Sequence, residues 1–90
     1  MYRYKRGINL TYDEQGYVYF ASILYKKMPA AEQERISELC RECGGAYHRA
    51  LFDFVTKGKT ATAIEMQYGV SKSTLYRAVR RYYKNFIKGQ

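Results

Sequence analysis

The side chains between Ser71 and Lys84 hold most of the chemistry this chain offers. Ser71, Lys72, Ser73, Thr74, Tyr76 and Arg77 are a run of hydrogen-bond donors, and Arg80, Arg81 and Lys84 follow as fixed positive charges. The chain has one histidine and no phosphate-cradling or nucleophile-bearing glycine motif, so nothing marks an enzyme. What such a set does is hold a partner. Short polar groups and guanidinium forks match base edges, and cationic heads match phosphate oxygens. Lys57 and Lys59 stand just upstream as further phosphate contacts.

Those residues need a helix to present them. Residues 60–82 read TATAIEMQYGVSKSTLYRAVRRY. A short helix from about Thr60 to Tyr68 puts Ile64 and Tyr68 inward, and Gly69 supplies the positive φ of a sharp turn. Val70 plugs the corner, and Ser71 caps the next helix, which runs to about Lys88. At about 100° per residue, Leu75, Ala78, Val79, Tyr82 and Phe86 form its inner seam. Ser73, Arg77, Arg80 and Lys84 then point away, with Thr74, Tyr76 and Arg81 on the flanks. A helix entering a major groove needs that layout, with base-edge donors leading and phosphate clamps behind.

YGVSKSTLYRAV resembles the turn and recognition helix of bacterial helix-turn-helix proteins, in which GVS-x-x-TLYR recurs. TetR-type repressors, site-specific recombinase DNA-binding domains and sigma-factor region 4 carry similar segments. The likeness covers about a quarter of the chain and is specific for the motif rather than for one family. Glu65 departs from it, standing where such motifs carry Ala, so its side chain must lean outward. The chain also resembles small proteins of phages and conjugative elements. The resemblance implies that Ser71, Lys72, Ser73, Thr74, Tyr76 and Arg77 read bases.

Charge agrees with this placement. The 90 residues carry 16 Lys and Arg against 8 Asp and Glu, a net of +8. Residues 57–90 hold eight of the basic side chains with only Glu65 against them, as expected of a module facing a polyanion. The competing view of that stretch is a solvated basic face ending a helical bundle. Tyr2, Arg3, Tyr4, Lys5 and Arg6 offer an arm for a minor groove, although a frayed terminus accounts for them as well.

Three more helices precede the motif. Thr11 with Glu14 forms a capping box for the first, whose stripe is Tyr17, Phe20, Ala21, Leu24 and Met28; Lys26 and Lys27 suit its far end. Gly16 and the aromatic cluster leave a short strand over Tyr17–Phe20 as an alternative. Pro29 opens the second helix, with Ile36, Leu39, Cys40 and Cys43 on one face and Gly44 and Gly45 as its stop. The third carries Tyr47, Ala50, Leu51 and Phe54 and ends near Gly58. Most of the 11 tyrosines fall on these stripes; Tyr76 and Tyr83 are the two free to stack on bases.

Cys40 and Cys43 with His48 resemble half of a zinc knuckle, but a structural zinc needs four ligands. Two copies could share an all-cysteine site, and a redox pair is a further reading. The apolar stripe shared with Ile36 and Leu39 favours burial as small hydrophobes. No disulfide framework, secretory stretch or membrane span is legible, which points to the cytoplasm.

The expected fold is all-α: a basic arm over 1–10, two supporting helices over 11–45, and a helix-turn-helix core over 46–90. The expected function is sequence-specific double-stranded DNA binding as a small transcriptional regulator of a mobile element, with no cofactor and no metal. A recombination or excision factor and a sigma-like subunit meeting RNA polymerase are the alternatives on the same fold. From another class, the basic helix serves a protein-interaction or RNA-binding module. Pairing with a second copy, through the aromatic first helix, would strengthen a single weak module.

Overall fold

The computed structural model describes residues 7–89. Five α-helices follow one another: α1 Tyr12–Ile23, α2 Ala30–Gly44, α3 His48–Lys57, α4 Ala61–Tyr68 and α5 Lys72–Lys88. Single 3-10 turns over Tyr25–Lys27 and Gly45–Tyr47 join the first three. No strand occurs among the described residues, so the protein is all-α and Tyr17–Phe20 is helical. The arm residues Tyr2 to Arg6 lie outside the described residues. The remainder of that expected arm is not an arm, because Ile8 is buried in the core and Leu10 packs against it.

Local chemistry sets most helix ends. Thr11, Thr60 and Ser71 accept from the backbone N–H groups of Glu14, Ala63 and Thr74 at 3.1, 3.1 and 3.3 Å. The Glu14 carboxylate accepts in return from the Thr11 N–H at 2.9 Å, which closes the capping box. Each such cap is worth about 1 kcal/mol. Gly58 and Gly69 end α3 and α4 in the left-handed region, with φ of 66° and 70°.

The first helix is shorter than its periodicity suggests, and it is rotated. Pro29 holds Met28 extended (φ −79°, ψ 152°), so a helix cannot run through to that residue. The chain leaves α1 after Ile23 and tightens into a 3-10 turn, which takes Lys26 and Lys27 with it. The buried positions of α1 are Gln15, Val18 and Ser22 rather than the aromatic stripe. Tyr17, Phe20 and Leu24 are about half exposed (52, 54 and 45%). Polar residues can take the inner face because each has a partner. Gln15 Nε2 donates to Leu10 O at 3.3 Å, and Ser22 Oγ donates to Val18 O at 2.7 Å.

Everything packs around α5. Leu75, Ala78, Val79, Tyr82, Tyr83 and Phe86 are buried, an arc of about 140° at 100° per residue. Tyr83 thus belongs to the core and is not available to bases, contrary to what its place in the sequence suggests. Its ring lies 6.2 Å from that of Tyr82. α2 lies antiparallel to α5 and is held by two arginines: Arg35 donates to Phe86 O at 2.7 Å, and Arg81 donates to Cys43 O. Arg35 also stacks 4.4 Å over the Phe86 ring. In α3, Ala50, Leu51, Asp53 and Val55 are buried. Tyr47 is half exposed, because the left-handed break at Gly45 leaves it in the 3-10 turn before α3.

Ser22 spends its single proton on Val18 O, so in the 2.7 Å contact with Tyr82 it is the tyrosine that donates. Tyr82→Phe removes that bond and should cost about 1 kcal/mol in urea unfolding. Tyr82→Ala, which also opens a cavity, should cost about 3–5 kcal/mol.

Candidate nucleic-acid interface

The α4–α5 corner has the construction its residues call for. Gly69 turns the chain, Val70 is 2% exposed beneath the corner, and Ser71 caps α5. Ile64 is fully buried and Glu65 points outward, as its size requires. α3 packs against both helices of the corner.

The exposed side of α5 carries Lys72, Ser73, Tyr76, Arg77, Arg80 and Lys84. None of its four cations makes an ion pair among the described residues. The first turn of α5 holds Lys72 and no acidic residue. That inverts the usual preference for carboxylates at a helix N-terminus, so an incoming anion would meet both the helix dipole and the lysine. Tyr76 is 42% exposed and is steadied by an edge-to-face contact with Phe54, the ring centroids 6.3 Å apart. It presents a fixed aromatic edge beside Arg77.

Other residues singled out from the sequence are already engaged. Ser71 Oγ accepts from Thr74 N and donates to Thr74 Oγ1 at 3.0 Å, so both hydroxyls are engaged in the cap. Arg81 is exposed at the edge of the helix and reaches across to α2, with Nε and Nη2 donating to Cys43 O at 3.2 and 2.8 Å. Its guanidinium satisfies a carbonyl near the end of α2, where a cation also complements the helix dipole. Lys57 pairs with Asp53 at 3.2 Å. Lys59 lies 3.8 Å from the same carboxylate and donates to Gln67 Oε1 at 2.7 Å. The structure therefore gathers Lys72, Ser73, Tyr76, Arg77, Arg80 and Lys84 on one open face and assigns Arg81, Lys59 and part of Lys57 to internal contacts.

Asp53 is the charged residue that periodicity missed. It is 7% exposed and accepts from the Tyr68 hydroxyl at 2.5 Å. The i, i+4 spacing to Lys57 was the signal that could have shown it. Burial opposes its charge, but the Tyr68 hydroxyl, Lys57 and Lys59 prevail, and the carboxyl titrates below its usual range. Tyr68 is raised in turn, chiefly because its proton is held by that carboxylate.

Cys40 and Cys43 are free thiols, 1 and 3% exposed, inside the core. Burial, and then the neighbouring Cys43, push the Cys40 thiol up to about 12. His48 Nδ1 lies 3.0 Å from Gly45 O. No group of three or more His, Cys, Asp and Glu side chains among the described residues is placed to hold a metal ion. No helix among them is long and apolar enough to cross a membrane. No family model, curated protein or solved structure matches the chain.

Two measurements test this division of roles. Arg81→Ala should lower stability by about 1–2 kcal/mol while leaving the salt dependence of any polyanion binding unchanged. Because Asp53 is depressed in the folded state, its contribution is complete above the ordinary carboxylate value of about 3.9 and is lost as acid titrates it below that. Tyr68→Phe removes one cause of the depression, so in urea unfolding at stepped pH its acid loss should be smaller than that of the wild type and should be complete at a higher pH.

Proposed function

We propose that this chain is a sequence-specific duplex-DNA-binding module of the helix-turn-helix kind, serving as a small transcriptional regulator of a mobile genetic element. The observation that carries the reading is the open face of α5. There, four cations with no ion pair among the described residues, and two polar side chains, follow a turn built from Gly69, Val70 and Ser71. A 17-residue helix, buried on one side and charged on the other, suits insertion into a major groove.

In this reading Lys72, Ser73, Tyr76 and Arg77 meet base edges from the leading turns. Arg77 is the group able to form a bidentate contact to guanine, worth about 1–3 kcal/mol of discrimination. Arg80 and Lys84, one and two turns further on, clamp phosphates. With those two phosphates neutralised, α5 contributes about −1.8 to the slope of log K against log salt. That is shallower than the slope obtained by counting every basic residue, because Arg81 and Lys59 already have partners within the fold.

The test begins with selection of bound duplexes from a random pool. Arg77→Ala should then weaken binding to the selected duplex by about 1–3 kcal/mol and leave random-duplex binding nearly unchanged. Lys84→Ala should weaken both alike and reduce the salt slope by about 1. Equal specificity ratios in the two variants would refute this split between base reading and phosphate clamping along α5. Equal competition by RNA would refute the major-groove reading itself.

A further inference from the structure

A second basic feature lies beside α5, on the side where α1 and α3 end. Ser22 meets Tyr82 and Tyr17 meets Phe86, so α1 runs antiparallel to α5. The chain leaving α1 therefore departs at the level of Tyr82, heading toward the start of α5. α3 reaches the same end from another side, since Phe54 touches Tyr76 and Lys57 lies about one turn further on. At this end Lys26, Lys27 and Lys57 line one notch floored by Ile23, Leu24 and Thr56, and no carboxylate lines it. The notch is fixed in place at Gly58. A Cβ there would meet Ile23 Cδ1 at 3.1 Å, so the bare glycine lets α1 press on the turn that ends α3.

Folding gives these lysines little to do. α1 stops at Ile23 with no basic residue in its last turn, so Lys26 and Lys27 do not complement its dipole. Neither makes an ion pair among the described residues, and Lys57, whose one such pair is with Asp53, remains 49% exposed. Lys26 and Lys27 have no counter-charge among the described residues and Lys57 shares only that of Asp53, so an anion placed between the three ammonium groups relieves their mutual repulsion.

We propose that Lys26 and Lys27, with Lys57, form a second phosphate-binding patch that grips the same DNA duplex on the backbone flanking the groove read by α5. The patch rests on the duplex-binding reading of α5 and extends it. It adds affinity without sequence preference, because it meets phosphates alone.

The experiment is equilibrium binding of the full chain to selected and random duplexes across a salt series. Wild type is compared with Lys26→Gln/Lys27→Gln, with Lys26→Arg/Lys27→Arg, and with Lys88→Gln as a control at the far end of α5. Loss of two phosphate contacts should make the slope of the Gln variant shallower by about 1.8, equally on both duplexes. The Arg variant should keep the wild-type slope, and the Gln variant should melt no lower than wild type. A Gln variant whose slope changes no more than that of Lys88→Gln, or whose loss is confined to the selected duplex, overturns the patch and leaves the α5 reading standing. A wild-type chain that binds no duplex at all overturns both.

Discussion

A tyrosine hydroxyl buried without access to water must find a partner, and in this fold that need sets the rotation of a whole helix. Tyr82 is fully buried, and Ser22 takes its proton. With Ser22 committed, α1 can only turn Val18 and Gln15 inward and leave Tyr17 and Phe20 at the surface. The same contact sets α1 antiparallel to α5 and determines where the chain emerges after Ile23. Burial also pushes the Tyr82 phenol well above its ordinary range, which keeps it a neutral donor to Ser22 at neutral pH.

Charge in this molecule divides into two populations with different work. One is structural: Arg35 and Arg81 tie α2 to α5 through carbonyl oxygens, and Lys57 and Lys59 compensate the buried Asp53. The other has no counter-charge among the described residues: Lys72, Arg77, Arg80 and Lys84 on α5, and Lys26 and Lys27 beside it. Net charge alone does not separate the two. Folding explains the first population and leaves the second without a role, so a functional account must draw on the second, joined by the half-exposed Lys57.

Much of the architecture was legible because it is local. The caps at Thr11, Thr60 and Ser71, the stops at Gly58 and Gly69, and the inner seam of α5 depend on residues within a turn or two of one another. What was not legible depends on distance. The rotation of α1 is decided by a hydrogen bond spanning 60 residues, and hydrophobic periodicity is blind to a buried Ser or Gln whose partner lies elsewhere. Arg81 looks like a free cation on a helical wheel, and only the approach of Cys43, 38 residues away, shows otherwise. On the candidate interface the wheel correctly separated Arg77, Arg80 and Lys84 from the seam, but it could not say which neighbouring cations the fold had already engaged.

Both sulfurs of the cysteines lie behind the contact between α2 and α5, where Asn85 Nδ2 approaches Cys43 Sγ at 3.4 Å and Cys40 resists ionisation up to about 12. Small electrophiles react with thiolates that solvent can reach, and neither sulfur is within reach while these two helices stay together. Alkylation of the native chain is thereby gated by their separation. The pair serves as an internal clock for the opening of the core, with no dye or engineered label needed to read it.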